Sequence, residues 1–456
     1  MTKVALINPG NNEKFAIQEP LSLGFIASYL ESNGVEVRII DELSGQDVKS
    51  SLEKFSPDIA GITMTTPLAS NAYRVSGICK DMGILTVLGG VHARLLTEEA
   101  QRHADIVVRG EGELAMLKIV KDGLKSGIVS CDYIKDLDQL PPPARRLMDM
   151  SFYMRSKDRL PYTYLYFVPK HTRVAAILTG RGCPYRCIFC HNSWRDSPYR
   201  FNSPERVVAE IEELVNIYKI QALFFIEDTL FVNKPRLHRI CNLIKAKNLK
   251  IVWGGNARVN EIDEDILALA KDAGCRQITF GFESGSQRIL DVLKKDTTVE
   301  GNRKAIRLCR RFGIIPQGTF MIGNPTETRE DVIATQKFIQ KNAIEGAGVC
   351  VTVAYPGTEL WRICKENNLI PEGFSWDDLL FDKVVMSCSK EISCSELEVL
   401  YRKTSDIADL KWRIGLREAL GNNLFPLRKL PGRAIRLISN PVYTNLFIRQ
   451  LKKLKI

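Results

Sequence analysis

Residues 181–194 read RGCPYRCIFCHNSW, and this stretch decides how the rest of the chain is interpreted. It contains Cys183, Cys187 and Cys190 in Cys-x3-Cys-x2-Cys spacing, with an aromatic residue just before the last cysteine. The glycine and proline beside the first cysteine predict a loop, which can direct three thiolates towards one inorganic cluster. A cubane iron–sulfur cluster normally takes four cysteines. Three cysteines without a fourth nearby therefore predict a cubane with one iron left open for a substrate or cofactor.

Two other interpretations of this stretch remain open. His191 could complete a tetrahedral zinc site, although a direct neighbour of Cys190 is poorly placed to do so. The three thiols could also be buried structural cysteines. The other nine cysteines are scattered through the sequence and are interpreted as small hydrophobic residues. The cluster is the favoured hypothesis.

The cysteine spacing, together with the aromatic Phe189, resembles the signature loop of the radical S-adenosylmethionine (SAM) enzymes. The resemblance implies that Cys183, Cys187 and Cys190 hold a [4Fe–4S] cluster. It implies that the open iron chelates the amino and carboxylate groups of SAM, and that Phe189 lies near the adenine. The protein would then be an enzyme that cleaves SAM reductively.

Length and composition set the broad class of the protein. The chain has 456 residues, 45% of them hydrophobic and 26% charged, which predicts a globular protein of two or three domains. Twelve cysteines without secretory features predict reduced thiols in the cytoplasm. The opening residues predict a strand rather than a signal peptide, and no apolar run approaches the roughly 18 residues of a membrane span.

Residues 1–145 alternate short β-rich runs with helical stretches, which predicts a doubly wound, flavodoxin-like or Rossmann-like parallel sheet. Ligands of such sheets bind at the carboxyl ends of the strands. The first strand lacks Gly-x-Gly-x-x-Gly after it, which argues against a dinucleotide. The candidate ligand-binding residues at the strand ends are Asn8, Thr63, Thr65, Gly89, Gly90, Val91, His92, Gly110 and Glu111.

The same region resembles the cobalamin-binding domain that precedes many radical SAM cores. The resemblance rests on residues 20–24, 89–93 and 109–113, which read PLSLG, GGVHA and RGEGE. The loop after the first strand lacks the Asp-x-His-x-x-Gly motif that supplies a histidine to cobalt in some relatives. The resemblance thus implies cobalamin without a histidine ligand from that loop, and it leaves His92 as a residue that makes a loop hydrogen bond. A flavodoxin-like module without a ligand is the alternative.

A proline-containing linker at 146–170 leads into residues 171–370, where six strand–helix units predict a partial (β/α)6 barrel of the TIM type. An active site is expected at the carboxyl ends of its strands. The candidate cofactor-binding residues there are Glu227, Asp228, Arg258, Glu283, Ser284, Ile322, Gly323 and Pro356. Singly, each could equally be a helix cap, a salt-bridge residue or a turn residue.

Within the barrel the resemblance assigns roles to several of these positions. Glu283 stands where the family's fourth-strand acid binds the ribose of SAM, and residues 321–328 resemble the fifth-strand adenine motif. Glu227 and Asp228 stand where an acid meets the SAM amino group, although the usual Gly-Gly-Glu sequence is absent. A cation such as Arg258 suits the SAM carboxylate.

Residues 371–456 are predicted to form a helical, basic extension. The segment from Lys411 to Ile456 carries a net charge of +10 out of +11 for the whole chain, so the rest is almost neutral. A basic amphipathic segment is typical of a membrane-surface element, and a solvated helix face or a partly disordered tail are the alternatives. A nucleic-acid partner is disfavoured because the charge is confined to the tail.

The leading functional hypothesis is a cobalamin-dependent radical SAM C-methyltransferase. A 5′-deoxyadenosyl radical would activate a carbon of a small-molecule, natural-product or lipid substrate, and an electron donor of the flavodoxin or ferredoxin type would reduce the cluster. One alternative is a radical SAM cyclase or oxidoreductase that acts on a tetrapyrrole or lipid. The non-enzymatic alternative is a cobalamin-binding protein with an inactive barrel. A cytoplasmic protein is expected, and peripheral contact of its tail with the membrane is the further hypothesis.

Overall fold

The computed structural model describes residues 2–10, 18–154, 165, 168, 172–191, 198–342, 344 and 346–419, with side chains to residue 409. The first part of the chain forms a parallel sheet of strand order β2-β1-β3-β4-β5-β6 within the described residues. Its strands are β1 (Lys3–Asn8), β2 (Glu36–Asp41), β3 (Ile59–Thr63), β4 (Leu85–Gly89), β5 (Ile106–Arg109) and β6 (Gly127–Ser130). Its helices are α1 (Leu21–Ser32), α2 (Val48–Phe55), α3 (Ala69–Asp81), α4 (Val91–Leu95), α5 (Thr97–Gln101) and α6 (Gly112–Asp122).

The central strands of this sheet are buried on both faces. The four residues at 4–7 of β1 are Val-Ala-Leu-Ile, and all are at most 1% exposed. Continuous apolar runs of this kind are typical of parallel strands covered by helices on both sides. The doubly wound sheet that the sequence predicts is thus confirmed, and β6 is an additional edge strand that the prediction did not include.

The second part of the chain forms another parallel sheet, of order β14-β13-β12-β11-β10-β7 within the described residues, next to the short antiparallel pair β8–β9. The short helix α7 (Met150–Met154) precedes it. The strands of the parallel sheet are β7 (Val174–Ile177), β10 (Ala222–Phe225), β11 (Val252–Ala257), β12 (Cys275–Glu283), β13 (Ile315–Ile322) and β14 (Gly346–Val351), and the antiparallel pair consists of β8 (Gly180–Arg181) and β9 (Arg200–Phe201). The partial six-stranded barrel of the prediction is confirmed.

Helices cover this second sheet. They are α8 (Pro204–Asn216), α9 (Lys234–Ala246), α10 (Glu264–Asp272), α11 (Gln287–Val292), α12 (Val299–Arg311), α13 (Arg329–Lys341), α14 (Glu359–Glu366) and α15 (Cys394–Ala419). Several begin at a side-chain cap, as α8 does, where Ser203 Oγ accepts the backbone N–H of Arg206 at 3.2 Å and Pro204 follows. None of the described helices is long and apolar enough to cross a membrane. Residues 420–456, which hold most of the basic segment from Lys411 to Ile456, lie outside the described residues.

The two sheets are joined by a buried ionic cluster. Arg145 donates to Glu210 at 2.5 Å and to the carbonyl of Ala176 in β7 at 2.8 Å, and both charged side chains are nearly buried. Glu19, just before α1, accepts the N–H of Ala176 at 3.1 Å. Burial raises the pKa of Glu19, and the nearby Arg145 opposes that rise. The first strand of the second sheet is therefore fixed against the first domain by polar contacts that water does not screen.

Candidate active site and cofactor cleft

The loop that carries Cys183, Cys187 and Cys190 is called the cysteine loop below. The short antiparallel pair β8–β9 closes its base. Gly182 follows β8 directly and has a φ of 84°, which favours glycine. A Cβ at this position would lie 2.6 Å from the carbonyl oxygen of Pro198. The loop therefore needs glycine at its entry, next to the first of the three cysteines.

Ile188 anchors the middle of the loop to two other elements. Its N–H donates to the carbonyl of Leu293 at 3.2 Å, and its carbonyl accepts the N–H of Leu360 at 2.9 Å. The Ile188 side chain is 1% exposed and packs in a cluster that also contains Leu293 and Leu360. The backbone between Cys187 and Cys190 is thus held from both sides before any cofactor binds.

The three thiols differ in burial. Cys187 is 7% exposed, whereas Cys183 and Cys190 are partly exposed. Burial raises the pKa of Cys183 to about 11, so this thiol must lose its proton to ligate iron. Among the described residues no group of three His, Cys, Asp or Glu side chains is arranged for a single metal ion, and His191 is exposed, so the zinc interpretation gains no support. The cysteine ligands of a cubane cluster each bind a different iron, so their sulfur atoms need not surround a single metal ion.

Two buried cations lie next to the loop. The Arg258 guanidinium follows β11 and is 3.7 Å from the centroid of the Tyr185 ring, with Nη1 3.5 Å from Cys187 Sγ. Its Nε and Nη2 are buried and have no hydrogen-bond partner among the described residues. Lys295, which the sequence analysis missed, has Nζ 5.8 Å from the centroid of the Phe189 ring. Two cations beside three thiols suit an anionic cluster and a carboxylate ligand.

Lys295 pairs with the acid predicted to bind ribose. Its Nζ donates to Glu283 Oε1 at 2.8 Å, and both side chains are less than 10% exposed. Glu283 has a φ of 58°, an uncommon backbone conformation for a residue other than glycine. Strain of this kind clusters at functional sites. No local sequence pattern identifies Lys295, because its relevance depends on the turn that follows α11.

Glu227 and Asp228 have different surroundings. Glu227 is 2% exposed, and its Oε1 accepts from Thr179 Oγ1 at 3.0 Å and lies 3.4 Å from Arg236 Nη1. Burial raises the pKa of Glu227, and the charge of Arg236 opposes the rise. Asp228 is exposed and acts electrostatically on Cys183. Asp228 thus lies near Cys183, whereas Glu227 binds Thr179 and Arg236 beyond the carboxyl ends of β7 and β10. Its Oε2 is buried against Gly180 and has no hydrogen-bond partner among the described residues.

The remaining barrel candidates lie in the packing around the site. Ser284 Oγ is 3.1 Å from Thr335 Oγ1, and Ile322 is fully buried against Leu397. Gly323 has a φ of 84°, and Pro356 is buried in the turn before α14. Ser284 thus contacts α13, and Ile322 packs against α15.

Glu327 is a fully buried acid beneath the fifth-strand motif. Its Oε2 accepts the N–H groups of Gly323 at 2.6 Å and Asn324 at 2.9 Å. Burial raises its pKa to about 7, although these hydrogen bonds oppose the rise. Between about pH 4.5 and pH 7 the Glu327 carboxyl is therefore protonated in the folded state and ionised in the unfolded state.

The structure predicts that Glu327→Gln flattens the dependence of thermal stability on pH. Because the folded pKa of Glu327 is raised, its contribution to stability is present below the ordinary value of 4.5 and is lost as the pH rises through about 7. Wild-type Tm should therefore fall by a few °C between about pH 6 and pH 8, and the variant should fall less. Calorimetry at both pH values checks this, and parallel curves would contradict it.

The first sheet has a cleft at the carboxyl ends of its strands, with a volume of about 920 Å³ including its open mouth. Of the predicted residues, Thr63, Gly89, Gly90, Gly110 and Glu111 line this cleft. Its remaining described lining is largely apolar, and it includes Gly61, where a Cβ would come within 3.0 Å of Leu6 Cδ2. A glycine floor beneath a wide apolar cleft fits a large, flat ligand such as a corrin ring.

Four predicted residues of the first domain do not line the cleft. Asn8 donates to Asp41 Oδ1 at 2.9 Å, and Thr65 and Val91 lie outside the lining. His92 is fully buried, with Nε2 3.6 Å from Glu99 Oε1 and its ring against Trp376. The ring nitrogens of His92 have no hydrogen-bond partner among the described residues, whereas its backbone N–H donates to the carbonyl of Met64 at 3.3 Å. Burial lowers the pKa of His92, so the neutral ring packs as a core residue.

The cleft reaches the second domain through Arg181. Arg181 and Leu178 line the cleft together with Glu111. Arg181 donates to Glu111 at 3.0 Å and to Glu113 at 2.5 Å, and Arg200 donates to Glu111 at 2.9 Å. Because Arg181 lies in β8 and Arg200 in β9, the base of the cysteine loop is bonded directly to the wall of the cleft.

The ion pairs of Glu111 with Arg181 and Arg200 predict that Glu111→Gln strongly lowers the stability of the protein. Burial raises the pKa of Glu111, but hydrogen bonding from Arg200 and the charge of Arg181 leave it lowered overall. Removing this carboxylate leaves buried guanidinium groups short of a partner, which costs about 3 kcal/mol or more. Denaturant unfolding should show this loss at neutral pH. The exposed pair of Glu205 and Arg239 provides the control, since Glu205→Gln should leave the unfolding curve almost unchanged.

Comparisons with known proteins identify the two parts of the chain. Residues 177–339 match the model of the radical SAM superfamily, and residues 16–120 match the model of the B12 binding domain. An uncharacterized methyltransferase of Pyrococcus horikoshii is 32% identical over 91% of this chain and 92% of its own length. The chain belongs to the cobalamin-binding radical SAM enzymes. Its cofactors are a [4Fe–4S] cluster, SAM and cobalamin.

Two further similarities place this radical SAM enzyme among its relatives. The anaerobic magnesium-protoporphyrin IX monomethyl ester cyclase of Rubrivivax gelatinosus is 30% identical over 75% of this chain and 66% of its own length. The structure of the radical SAM methyltransferase TsrM from Kitasatospora setae, with cobalamin and a [4Fe–4S] cluster bound, superposes with a TM-score of 0.62. That similarity covers 80% of this chain and 78% of TsrM at 19% identity, so it supports the fold alone.

Proposed function

We propose that the protein is a cobalamin-dependent radical SAM methyltransferase that methylates an unactivated carbon of a small-molecule or lipid substrate. The observation that carries this proposal is the position of Arg181. It lines the cobalamin cleft, bonds to Glu111 there, and precedes Cys183 by only two residues. A methyl donor in the cleft and a radical source at the loop would therefore adjoin one substrate space.

Bound together, the cluster and SAM supply a 5′-deoxyadenosyl radical, and cobalamin supplies the methyl group. The residues of the chain bind and orient these groups and exclude water. Exposed Asp228 suits the SAM ammonium, and the unpartnered Nε and Nη2 of Arg258 suit its carboxylate. Glu283, held by Lys295, has a second oxygen available for the ribose hydroxyls.

The proposed division of the chain follows from these sites. Residues 1–145 would bind cobalamin, 146–170 would form the linker, 171–370 would form the radical SAM core, and 371–456 would form the basic extension. The first sheet and most of the lining of its cleft lie within the first range, and the second sheet with the cysteine loop lies within the third. Separate expression of residues 1–145 and its titration with hydroxocobalamin tests the first boundary.

Product analysis tests the proposed reaction. The protein is reconstituted anaerobically with iron, sulfide and hydroxocobalamin, and is then given SAM, a chemical reductant and candidate substrates. Methylation consumes a second SAM, so 5′-deoxyadenosine and S-adenosylhomocysteine should both appear. Mass spectrometry should find the methyl group on a carbon of the substrate. S-Adenosylhomocysteine that stays absent while a substrate is converted would reject the methyltransferase.

A radical SAM cyclase is the second candidate function. The 30% identity to the Rubrivivax gelatinosus cyclase over 75% of this chain favours it. A cyclase would produce 5′-deoxyadenosine without S-adenosylhomocysteine, so the same product analysis separates the two reactions. Magnesium-protoporphyrin monomethyl ester is the tetrapyrrole substrate to include.

The partner proteins and surfaces belong to the same proposal. We propose an electron donor of the flavodoxin or ferredoxin type, because the cluster needs one electron for each SAM cleaved. We also propose that the basic segment from Lys411 to Ile456 contacts anionic membrane surfaces, since it carries a net charge of +10.

Flotation with anionic liposomes tests the membrane contact. Full-length protein should float with the vesicles, and protein truncated after Leu420 should stay at the bottom of the gradient. Electrostatic attraction also predicts that added salt releases the full-length protein. Equal flotation of both proteins would contradict the proposal.

A further inference from the structure

Arg258 contacts the cysteine loop at two points. Nη1 lies 3.5 Å from Cys187 Sγ, and the guanidinium carbon lies 3.7 Å from the centroid of the Tyr185 ring. Both partners belong to the loop that holds the cluster. Stacking on Tyr185 fixes the plane of the guanidinium and directs one N–H towards the sulfur of a cluster ligand.

The positive charge of Arg258 has no counterion in the described part of the chain. The side chain is 6% exposed, and its Nε and Nη2 lack hydrogen-bond partners there. The nearby carboxylate of Glu261 accepts the backbone N–H of Arg258 at 2.9 Å and the hydroxyl of Thr229 at 2.5 Å. It forms no ion pair with the guanidinium.

Lys295 provides a contrast within the same site. Its Nζ lies 2.8 Å from Glu283 Oε1, so the lysine and its acid together are close to neutral. Arg258 is therefore the cation in contact with Cys187 Sγ that no carboxylate neutralises among the described residues. Water does not screen the field of this cation, because both Arg258 and Cys187 are less than 10% exposed.

We propose that Arg258 is a positioning residue that raises the reduction potential of the cluster through its hydrogen bond to Cys187. Reduction adds one electron to the cluster, so the ligand sulfurs become stronger hydrogen-bond acceptors. Hydrogen bonds to the sulfurs, nearby charge and burial are the factors by which proteins set this potential. The proposal rests on the proposed function only in requiring that the cluster binds.

Redox titration followed by electron paramagnetic resonance tests the role of Arg258 without SAM or substrate. Reconstituted wild type, Arg258→Met and Arg258→Lys are titrated with a low-potential chemical reductant. Arg258→Met should reduce the equilibrium constant for reduction at least tenfold, a fall of about 59 mV for a one-electron couple. Arg258→Lys keeps the charge without the planar donor and should fall between the two.

Two further variants make the measurement decisive. Tyr185→Leu removes the ring that orients the guanidinium and should lower the potential by less than Arg258→Met does. Arg239→Met removes an exposed arginine from α9, where it pairs with Glu205, and should leave the potential unchanged.

An unchanged potential in Arg258→Met at full iron content would overturn the inference. If Arg258→Met loses the cluster, the potentials of Arg258→Lys and Tyr185→Leu decide the question. Loss of the cluster from all three variants would overturn the inference and assign Arg258 to cluster assembly. A wild-type protein that takes up no cluster would reject the proposed function, which is a different outcome.

Discussion

Replacing Cys187 with alanine should abolish reductive cleavage of SAM. Cys187 is the most buried of the three cluster cysteines, and it accepts the hydrogen bond of Arg258. We expect Cys183 and Cys190 each to bind a different iron, so a cluster held by these two thiolates alone would lack a ligand for a third iron. Reconstituted Cys187→Ala should lack the visible absorption of the cluster and should produce no 5′-deoxyadenosine.

Cobalamin binding separates this effect from unfolding. The cleft of the first domain contains none of the three cysteines, so Cys187→Ala should bind hydroxocobalamin as the wild type does. Cys394→Ser replaces an exposed cysteine at the start of α15 and should retain full SAM cleavage. Substantial 5′-deoxyadenosine from Cys187→Ala would contradict the assignment of the cluster to this loop.

Replacing Gly89 with valine should remove cobalamin while leaving the cluster in place. Gly89 ends β4 at the floor of the cleft, and its φ lies outside the left-handed region. An added Cβ would meet only the Cβ of Val108, at an ordinary 3.7 Å, so the fold accepts the side chain. The two methyl groups would then occupy the space of the ligand, and affinity should fall about 100-fold, the size of effect that a steric clash of roughly 3 kcal/mol produces.

The readouts of Gly89→Val distinguish a blocked cleft from a damaged protein. Titration with hydroxocobalamin measures the affinity, and iron content together with 5′-deoxyadenosine formation reports on the other domain. Gly77→Ala in α3 has no atom within 4 Å of the added Cβ and provides the control. Unchanged cobalamin affinity in Gly89→Val would place the corrin ring elsewhere.

Most of the architecture could be predicted because strand and helix periodicities are local. The alternating β-rich and helical stretches of residues 1–145 correspond to β1–β5 and the helices between them. The edge strand β6 escaped prediction because its four residues, GIVS, alternate in burial over too short a run to give a period.

The candidate site was less predictable, because sequence shows which residue types follow each strand but not where their side chains point. Asp228 and Glu227 are adjacent, yet one is exposed beside Cys183 and the other is buried against Arg236. Ser284 and Ile322 follow or end their strands and still face the packing around α13 and α15. The role of Lys295 could not be predicted, because it rests on the ion pair with Glu283, and no local sequence pattern indicates that pair.

The contact between the domains was also beyond the sequence. Glu111 was assigned to the cofactor, and the structure shows that its carboxylate accepts from Arg181 and Arg200 on both strands at the base of the cysteine loop. Glu111 therefore lines the cleft and also binds the two strands at the base of the cysteine loop. We expect this connection to fix the position of the proposed cobalamin cleft relative to the cysteine loop.

The most direct measurement is the metal content of the protein after anaerobic reconstitution with iron, sulfide and hydroxocobalamin and removal of unbound cofactor. Both cofactor sites lie in one chain, so we expect about four iron atoms and one cobalt atom per chain. Gly89→Val should lose the cobalt alone, and Cys187→Ala should lose the iron alone. A wild-type protein that retains iron without cobalt, or cobalt without iron, would contradict the account of two adjoining cofactor sites.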